Sequence, residues 1–169
     1  MLGFRVMTGV TQGIASLDER IPFLLSQLGS YAATEFQRQM ADSGVQPRTY
    51  AVLVALAARN GQSQRELAAR LNIHRNVMVN LIDTLETDGL VQRRPHPDDR
   101  RAFAITLTER GSRLLPTLDR SARVLEDTVT AELSTSERDV LRSLLQRIAS
   151  SAGLIPGVHP GLSGDQANC

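Results

Sequence analysis

The stretch SQRELAARLNIHRNVMVNLIDTLETDGLVQRR, Ser63 to Arg94, spells two helices, the turn between them and the start of a strand. Ser63 with Glu66 three places on forms a capping box, each side chain satisfying the other residue's amide at a helix start. Leu67, Ala68 and Leu71 supply the buried side of this short helix, and Asn72-Ile73 makes a tight turn. From His74 to Asp88, Val77, Met78, Leu81, Ile82 and Leu85 recur at helical spacing and face inward. Gly89 followed by apolar Leu90 predicts a Schellman stop. The outward side of this second helix presents Asn76, Val79, Asn80 and Asp83, with Arg75 at its edge.

Beyond Gly89 the period shortens from helical to alternating. Val91 to Arg94 reads as a strand, Pro95 to Asp99 has turn chemistry, and Phe103, Ile105 and Leu107 alternate with Ala104 and Thr106. That pattern predicts a β-hairpin with a charged tip. Upstream, Pro47 opens a helix through Arg59 with little polar face, so it belongs between other elements, and Asn60-Gly61 ends it. A longer amphipathic helix runs from Asp18, as N-cap, to about Ser43, with Leu24, Leu28, Ala32, Phe36 and Met40 at every fourth position and Pro22 near its first turn. Downstream, Thr108 caps a helix carrying Leu118, Ala122, Leu125, Val129 and Leu133, which Pro116 either kinks or delays. Ser134 and Glu137 form a second capping box, opening a helix with Leu141, Leu144, Leu145 and Ile148 on one side.

The order of elements predicts a mainly α protein with a small β-hairpin wing: a winged helix-turn-helix plus a helical dimerisation region. Residues 1–17 read as a flexible arm, 18–43 as a dimerisation helix and 44–107 as the winged helix-turn-helix. Residues 108–150 read as C-terminal dimerisation helices. Residues 151–169, rich in Gly, Pro and Ser, read as a mobile tail that buries little.

Composition narrows the functional classes. The single cysteine, Cys169, rules out a disulfide framework and a zinc site built on thiolates. His74, His96 and His159 fall on a helix start, a hairpin tip and the tail, so neither a metal site nor any cofactor is expected. Asp98-Asp99 reads as a pair of turn carboxylates rather than a catalytic dyad, and no phosphate-binding glycine loop is present, so an enzyme is not expected. No apolar run approaches the ~20 residues of a membrane span, and no signal-peptide core opens the chain, which predicts a cytoplasmic protein without a membrane partner. The net charge is only +1, but every one of the 19 basic residues is Arg, and Arg93, Arg94, Arg100 and Arg101 crowd the wing.

These residues suit double-stranded DNA. Asn pairs with the adenine edge, Arg with guanine, and Val meets the thymine methyl, while wing arginines reach phosphates or an adjacent minor groove. The expected contact set is Ser63, Gln64, Arg75, Asn76, Val79, Asn80, Arg93, Arg94, Arg100 and Arg101. The competing reading is a winged helix used for protein contact, such as an anti-repressor; that use favours exposed apolar or aromatic residues on the second helix, where this chain has Asn and Arg.

Five stretches in order, GVQPRTYAVLVALA (from Gly44), QRELAARLNI (from Gln64), LIDTLETDGLVQRR (from Leu81), PDDRR (from Pro97) and LTERG (from Leu107), resemble the MarR (multiple antibiotic resistance regulator) family. The resemblance covers roughly Leu17 to Ala149. It implies a homodimer joined through the first and last two helices, and binding to a pseudo-palindromic operator, usually as a repressor. It also implies release by a small aromatic or lipophilic effector, for which Phe23, Leu24, Tyr31 and Phe36 are candidate pocket residues as well as core or dimer packing. By position it assigns Arg75, Asn76 and Asn80 to the groove-reading face, places Asp99 and Arg101 in the wing signature, and pairs Asp83 with Arg101 as a brace. His74 departs from the usual Ser, Thr or Asp cap, and Asn76 to Asn80 replace a Ser/Thr-rich start. No cysteine stands near the first helix, as the redox-sensing branch requires.

Overall fold

The computed structural model describes residues 13–41, 43–97, 99 and 101–163. They fall into two compact units, one ending at Thr34 and the other beginning at Glu35. The first holds a single helical turn, α1 (Ala15–Asp18), and most of α2 (Ile21–Ala41). Asp18 therefore closes α1 instead of capping the long helix, which starts at Ile21 with Pro22 in its first turn, where a missing N–H breaks no helical bond. Ile21, Phe23, Leu25, Leu28 and Tyr31 are exposed.

In the second unit, α2 ends with Met40 buried, and Gly44 takes a left-handed φ of 67° to turn the chain toward α3 (Pro47–Ala58). Val52, Leu53, Ala55 and Leu56 bury the inner side of α3. There follow β1 (Gln62–Ser63), α4 (Gln64–Arg70), α5 (Arg75–Thr87), β2 (Val91–Pro95), β3 (Phe103–Leu107), α6 (Glu109–Val129) and α7 (Thr135–Ser151). The three strands form an antiparallel sheet in the order β1-β3-β2, with Gln62 opposite Ile105 and Arg93 opposite Ile105 on its other side. One apolar cluster joins Leu53 and Leu56 of α3, Leu67 of α4, Met78, Ile82 and Leu85 of α5, Ile105 of β3 and Leu118 of α6.

Both capping boxes form: Ser63 with Glu66 opens α4 and Ser134 with Glu137 opens α7. Thr108 caps α6 at Gly111, so Pro116 lies inside the helix and does not delay its start. Gly111 is required by proximity. A Cβ there would sit 2.2 Å from the Leu90 carbonyl oxygen, because α6 begins directly against the end of α5. Tyr50 of α3 donates to Asp119 Oδ1 of α6 at 3.0 Å and meets Phe36 edge-on, ring centroids 5.7 Å apart. Burial, then the Asp119 hydrogen bond and charge, push the Tyr50 phenol up to about 12.

The tail departs from expectation. After α7 a 3₁₀ turn at Pro160–Ser163 returns Leu162 to the apolar cluster, where it is 8% exposed, and Arg48 Nη2 of α3 donates to the Gly161 carbonyl at 3.1 Å. Leu162 and the Arg48–Gly161 hydrogen bond together hold a segment that is otherwise Gly- and Pro-rich. The arm through residue 12, Cys169 and the last five residues before it lie outside the described residues.

Candidate nucleic-acid interface

The helix-turn-helix is held from behind by a polar junction that apolar periodicity does not report. Gln62 is buried and its Nε2 donates to the carbonyls of Arg59, at 2.6 Å, and Ala55, at 3.2 Å. Arg70 Nη1 at the end of α4 shares the Ala55 carbonyl at 3.1 Å. Gln62, ahead of α4, and Arg70, its last residue, thus bind the carboxyl end of α3, where the Ala55 carbonyl also accepts from the Arg59 amide. Ahead of α4, the Ser63 hydroxyl accepts from the Glu66 amide at 3.2 Å and donates to Glu66 Oε2 at 2.9 Å. The Ser63 amide and hydroxyl hold the Glu66 carboxyl below the usual carboxylate range.

Asn72, at φ 50°, makes the turn into α5. His74 serves as N-cap: its Nδ1 accepts from the Asn76 amide at 3.3 Å, so an imidazole takes the role usual for a hydroxyl or carboxylate. At the other end the Leu90 amide reaches the Leu85 carbonyl at 2.9 Å, the Schellman bond, with Gly89 at φ 67°. Met78, Ile82 and Leu85 anchor the helix. Arg75, Asn76, Val79 and Asn80 all stand exposed on the opposite side, as one continuous surface.

Asp83 pairs with Arg93 of β2 and not with Arg101, which corrects the brace expected between wing and helix. Arg93 also pairs with Glu86, one turn along α5, and its amide donates to Glu86 Oε1 at 2.9 Å. The cause is register: Arg93 lies low on the hairpin, beside the carboxylates, whereas Arg101 lies at the tip. Burial works against the Arg93 charge, and the Asp83 and Glu86 carboxylates more than offset it, so its pKa is raised. With its side chain only 22% exposed, Arg93 is a structural tie and not a free phosphate ligand.

Arg94 and Arg101 are exposed and make no ion pair with a described residue; Arg100 lies outside the described residues. The tip is shaped by Asp99, whose Oδ1 accepts from the Arg101 amide at 2.9 Å, and by the His96 amide donating to the Ala102 carbonyl at 3.2 Å. Between the start of α4, the start of α5 and the wing lies a cleft of about 530 Å³. It brings together Ser63, Gln64, Arg75, Val79 and Arg101, and adds Arg65 and Phe103, which were absent from the expected set. Arg65 was signalled only by its place beside Gln64; Phe103 reads as a core position because it continues the alternation through Ile105. Of the candidate effector residues, Phe36 packs edge-on against Tyr50 in the second unit, and Phe23, Leu24 and Tyr31 belong to the first.

An exposed Asn- and Arg-bearing helix, buttressed by a second helix and flanked by an arginine-tipped hairpin, defines a DNA-binding module of the winged-helix class. The profile of the MarR family matches residues 43–102. A MarR-family transcriptional regulator from Rhodococcus sp. RHA1 superimposes with a TM-score of 0.67 at 30% identity, over 82% of this chain and 96% of that one. The chain belongs to the MarR family of transcriptional regulators. CouR from Rhodococcus jostii RHA1, whose structure was solved bound to p-coumaroyl-CoA, is 31% identical over 79% of this chain and 94% of that chain, with a TM-score of 0.67. The transcriptional repressor NicR of Pseudomonas putida is 28% identical, across 80% of this chain and 85% of its own. Among the described residues no helix is long and apolar enough to cross a membrane.

Proposed function

We propose that this regulator is a homodimeric, cytoplasmic repressor that binds a partly palindromic double-stranded operator and is released by a small aromatic or lipophilic effector. The observation that carries the reading is the exposed face of α5, where Arg75, Asn76, Val79 and Asn80 project away from the core. Asn76 and Asn80 present amides suited to adenine, Arg75 a fork suited to guanine and Val79 a methyl-compatible surface. Arg94 and Arg101 of the wing, with Ser63 and Gln64 at the start of α4, complete the contact set.

Dimerisation is supported by the apolar side of α7, where Val140, Leu141, Leu144, Leu145 and Ile148 remain between 38% and 59% exposed in the single chain. A stripe of that size on a soluble protein calls for a partner, and twofold symmetry spaces two α5 helices one turn of DNA apart. Effector release is supported by the p-coumaroyl-CoA bound to CouR and by the repressor role of NicR. Phe23, Leu24, Tyr31 and Phe36 are the residues to examine for it.

The test is selection of duplexes from a random pool, followed by titration at several salt concentrations. Sub-micromolar binding to a twofold-related site, weakening steeply with salt, supports the reading. Arg75→Ala and Asn76→Ala should each cost about 1–3 kcal/mol on the selected site and blur base preference. Failure to enrich any sequence, or a stable monomer by light scattering at micromolar concentration, refutes it.

A further inference from the structure

α6 leaves the hairpin with Leu118 in the apolar cluster, and beyond that residue it has no buried side chain; α7 has none at all. Ion pairs at the surface tie α7 to α6, Arg138 with Asp127 at 2.9 Å and Arg142 with Glu126 at 3.1 Å, and exposed pairs of this kind contribute little to rigidity. Pro116 removes a hydrogen bond inside α6, and the turn at residues 130–134 is a second place to bend. From the end of α7 the chain is directed back. Gly153, at φ 72°, lets the Leu154 amide reach the Ala149 carbonyl at 3.0 Å. Pro156 and Gly157 occupy the two centre positions of the next turn, where each is favoured, and the Val158 amide reaches the Ile155 carbonyl at 3.1 Å. His159 closes the 3₁₀ turn: its carbonyl accepts from the Leu162 amide and its Nδ1 from the Gly161 amide, both at 3.0 Å. Every one of these bonds is local, and together they aim Leu162 at the cluster and the Gly161 carbonyl at Arg48, the second residue of α3.

We propose that residues 152–163 are a strap that locks α7 to the start of α3, and that docking of Leu162 sets the spacing of the two recognition helices in the dimer. The inference rests on the dimeric DNA-binding reading above and adds a conformational control to it. α7 carries the apolar stripe offered to the second copy, whereas α3 shares its cluster with α4 and α5. With the strap docked, α6, α7 and the tail make a closed frame on α3, so a bend at Pro116 or at residues 130–134 has to pull Leu162 from its seat. With the strap released, each reading module swings against the subunit interface, and the spacing that fits successive major grooves becomes one of many. One leucine side chain and one hydrogen bond form the anchor, which keeps the released state within reach of the docked one.

The test uses the full chain with one spin label per subunit, placed by Asp88→Cys at the exposed end of α5, and with Cys169→Ser removing the only native thiol. Dipolar spectroscopy reads the distance between the two labels of a dimer, and a duplex recovered by selection gives the DNA affinity of the same samples. Leu162→Asp releases the strap, because a carboxylate does not stay in an apolar cluster; Leu162→Met keeps it docked. The parent and Leu162→Met should give one narrow distance distribution. Leu162→Asp should give a broad one that saturating duplex narrows again. Its DNA affinity should fall about tenfold, as when the competent spacing is populated about a tenth of the time, and its dimer dissociation constant should not change. Should Leu162→Asp fail to fold, Leu162→Ala, which shortens the anchor without charging it, should show the same broadening to a lesser degree. An unchanged distribution in the released variant overturns the proposal. An affinity loss without broadening also overturns it, since Leu162 would then serve stability alone, and so does dissociation into monomers, which would put the strap in the subunit interface. A parent dimer that binds DNA and is indifferent to Leu162 refutes the strap alone; a parent with no dipolar signal at micromolar concentration refutes the dimeric regulator and the strap with it.

Discussion

Arg93 of the wing is ion-paired with Asp83 of the recognition helix, and the same guanidinium reaches Glu86 one turn further along. Three residues separated in sequence by a glycine stop thus tie the wing to α5. Arg93→Ala leaves two carboxylates facing each other at i, i+3 spacing, and should cost about 0.5–1.5 kcal/mol of stability. It should also lower DNA affinity for all sequences alike. Arg101→Ala should lower affinity and leave thermal unfolding unchanged. Paired melting curves and binding titrations check the contrast; equal loss of stability in both variants contradicts it.

Gly111 is defined by the Leu90 carbonyl, which a Cβ would approach to 2.2 Å. Gly111→Ala must push the start of α6 away from the end of α5, where Thr108 also donates to the Gly89 carbonyl at 2.7 Å. The expected cost is about 1–3 kcal/mol, read as a lower urea midpoint with an unchanged slope.

Tyr50 makes stability depend on alkaline pH. Its phenol titrates near 12 in the folded protein against 10 for an unperturbed tyrosine. Between those values the native state retains a proton that the unfolded chain has released, so stability is complete below pH 10 and falls as pH rises toward 12. Tyr50→Phe should flatten that fall and cost about 1 kcal/mol at neutral pH through loss of the Asp119 hydrogen bond. Urea titrations at a series of pH values measure both effects.

Leu162 ties the tail to the core. Leu162→Ala should lose about 2–3 kcal/mol and several degrees of melting temperature. Truncation before Pro156 should lose a similar amount. A truncated protein as stable as the full chain would show that the leucine contributes nothing to the cluster.

Both capping boxes, the glycine stops and the stripe of α5 were legible because each is decided within a few residues of itself. Ser63 needs only Glu66, and Gly89 needs only the helix it ends. What was misread depends on distant partners. Two polar residues, Gln62 and Ser63, carry no strand periodicity, and they become β1 only because β3 lies alongside. Asp83 was assigned to Arg101 through resemblance, whereas strand register brings Arg93 to it. Leu162 stands alone among glycines and prolines, so no pattern announces that it is buried. In the candidate interface, the exposed side chains of α5 were readable from helical phase, while Phe103 was hidden by an alternation that continues past the edge of the core.

The short strand β1 has a mechanical outcome. Through Gln62 it is hydrogen-bonded on one side to the carboxyl end of α3 and paired on the other with Ile105 of the hairpin. The end of α3, the start of α4 and the hairpin are thereby joined at one two-residue strand, so displacing α3 strains hydrogen bonds at the base of the wing.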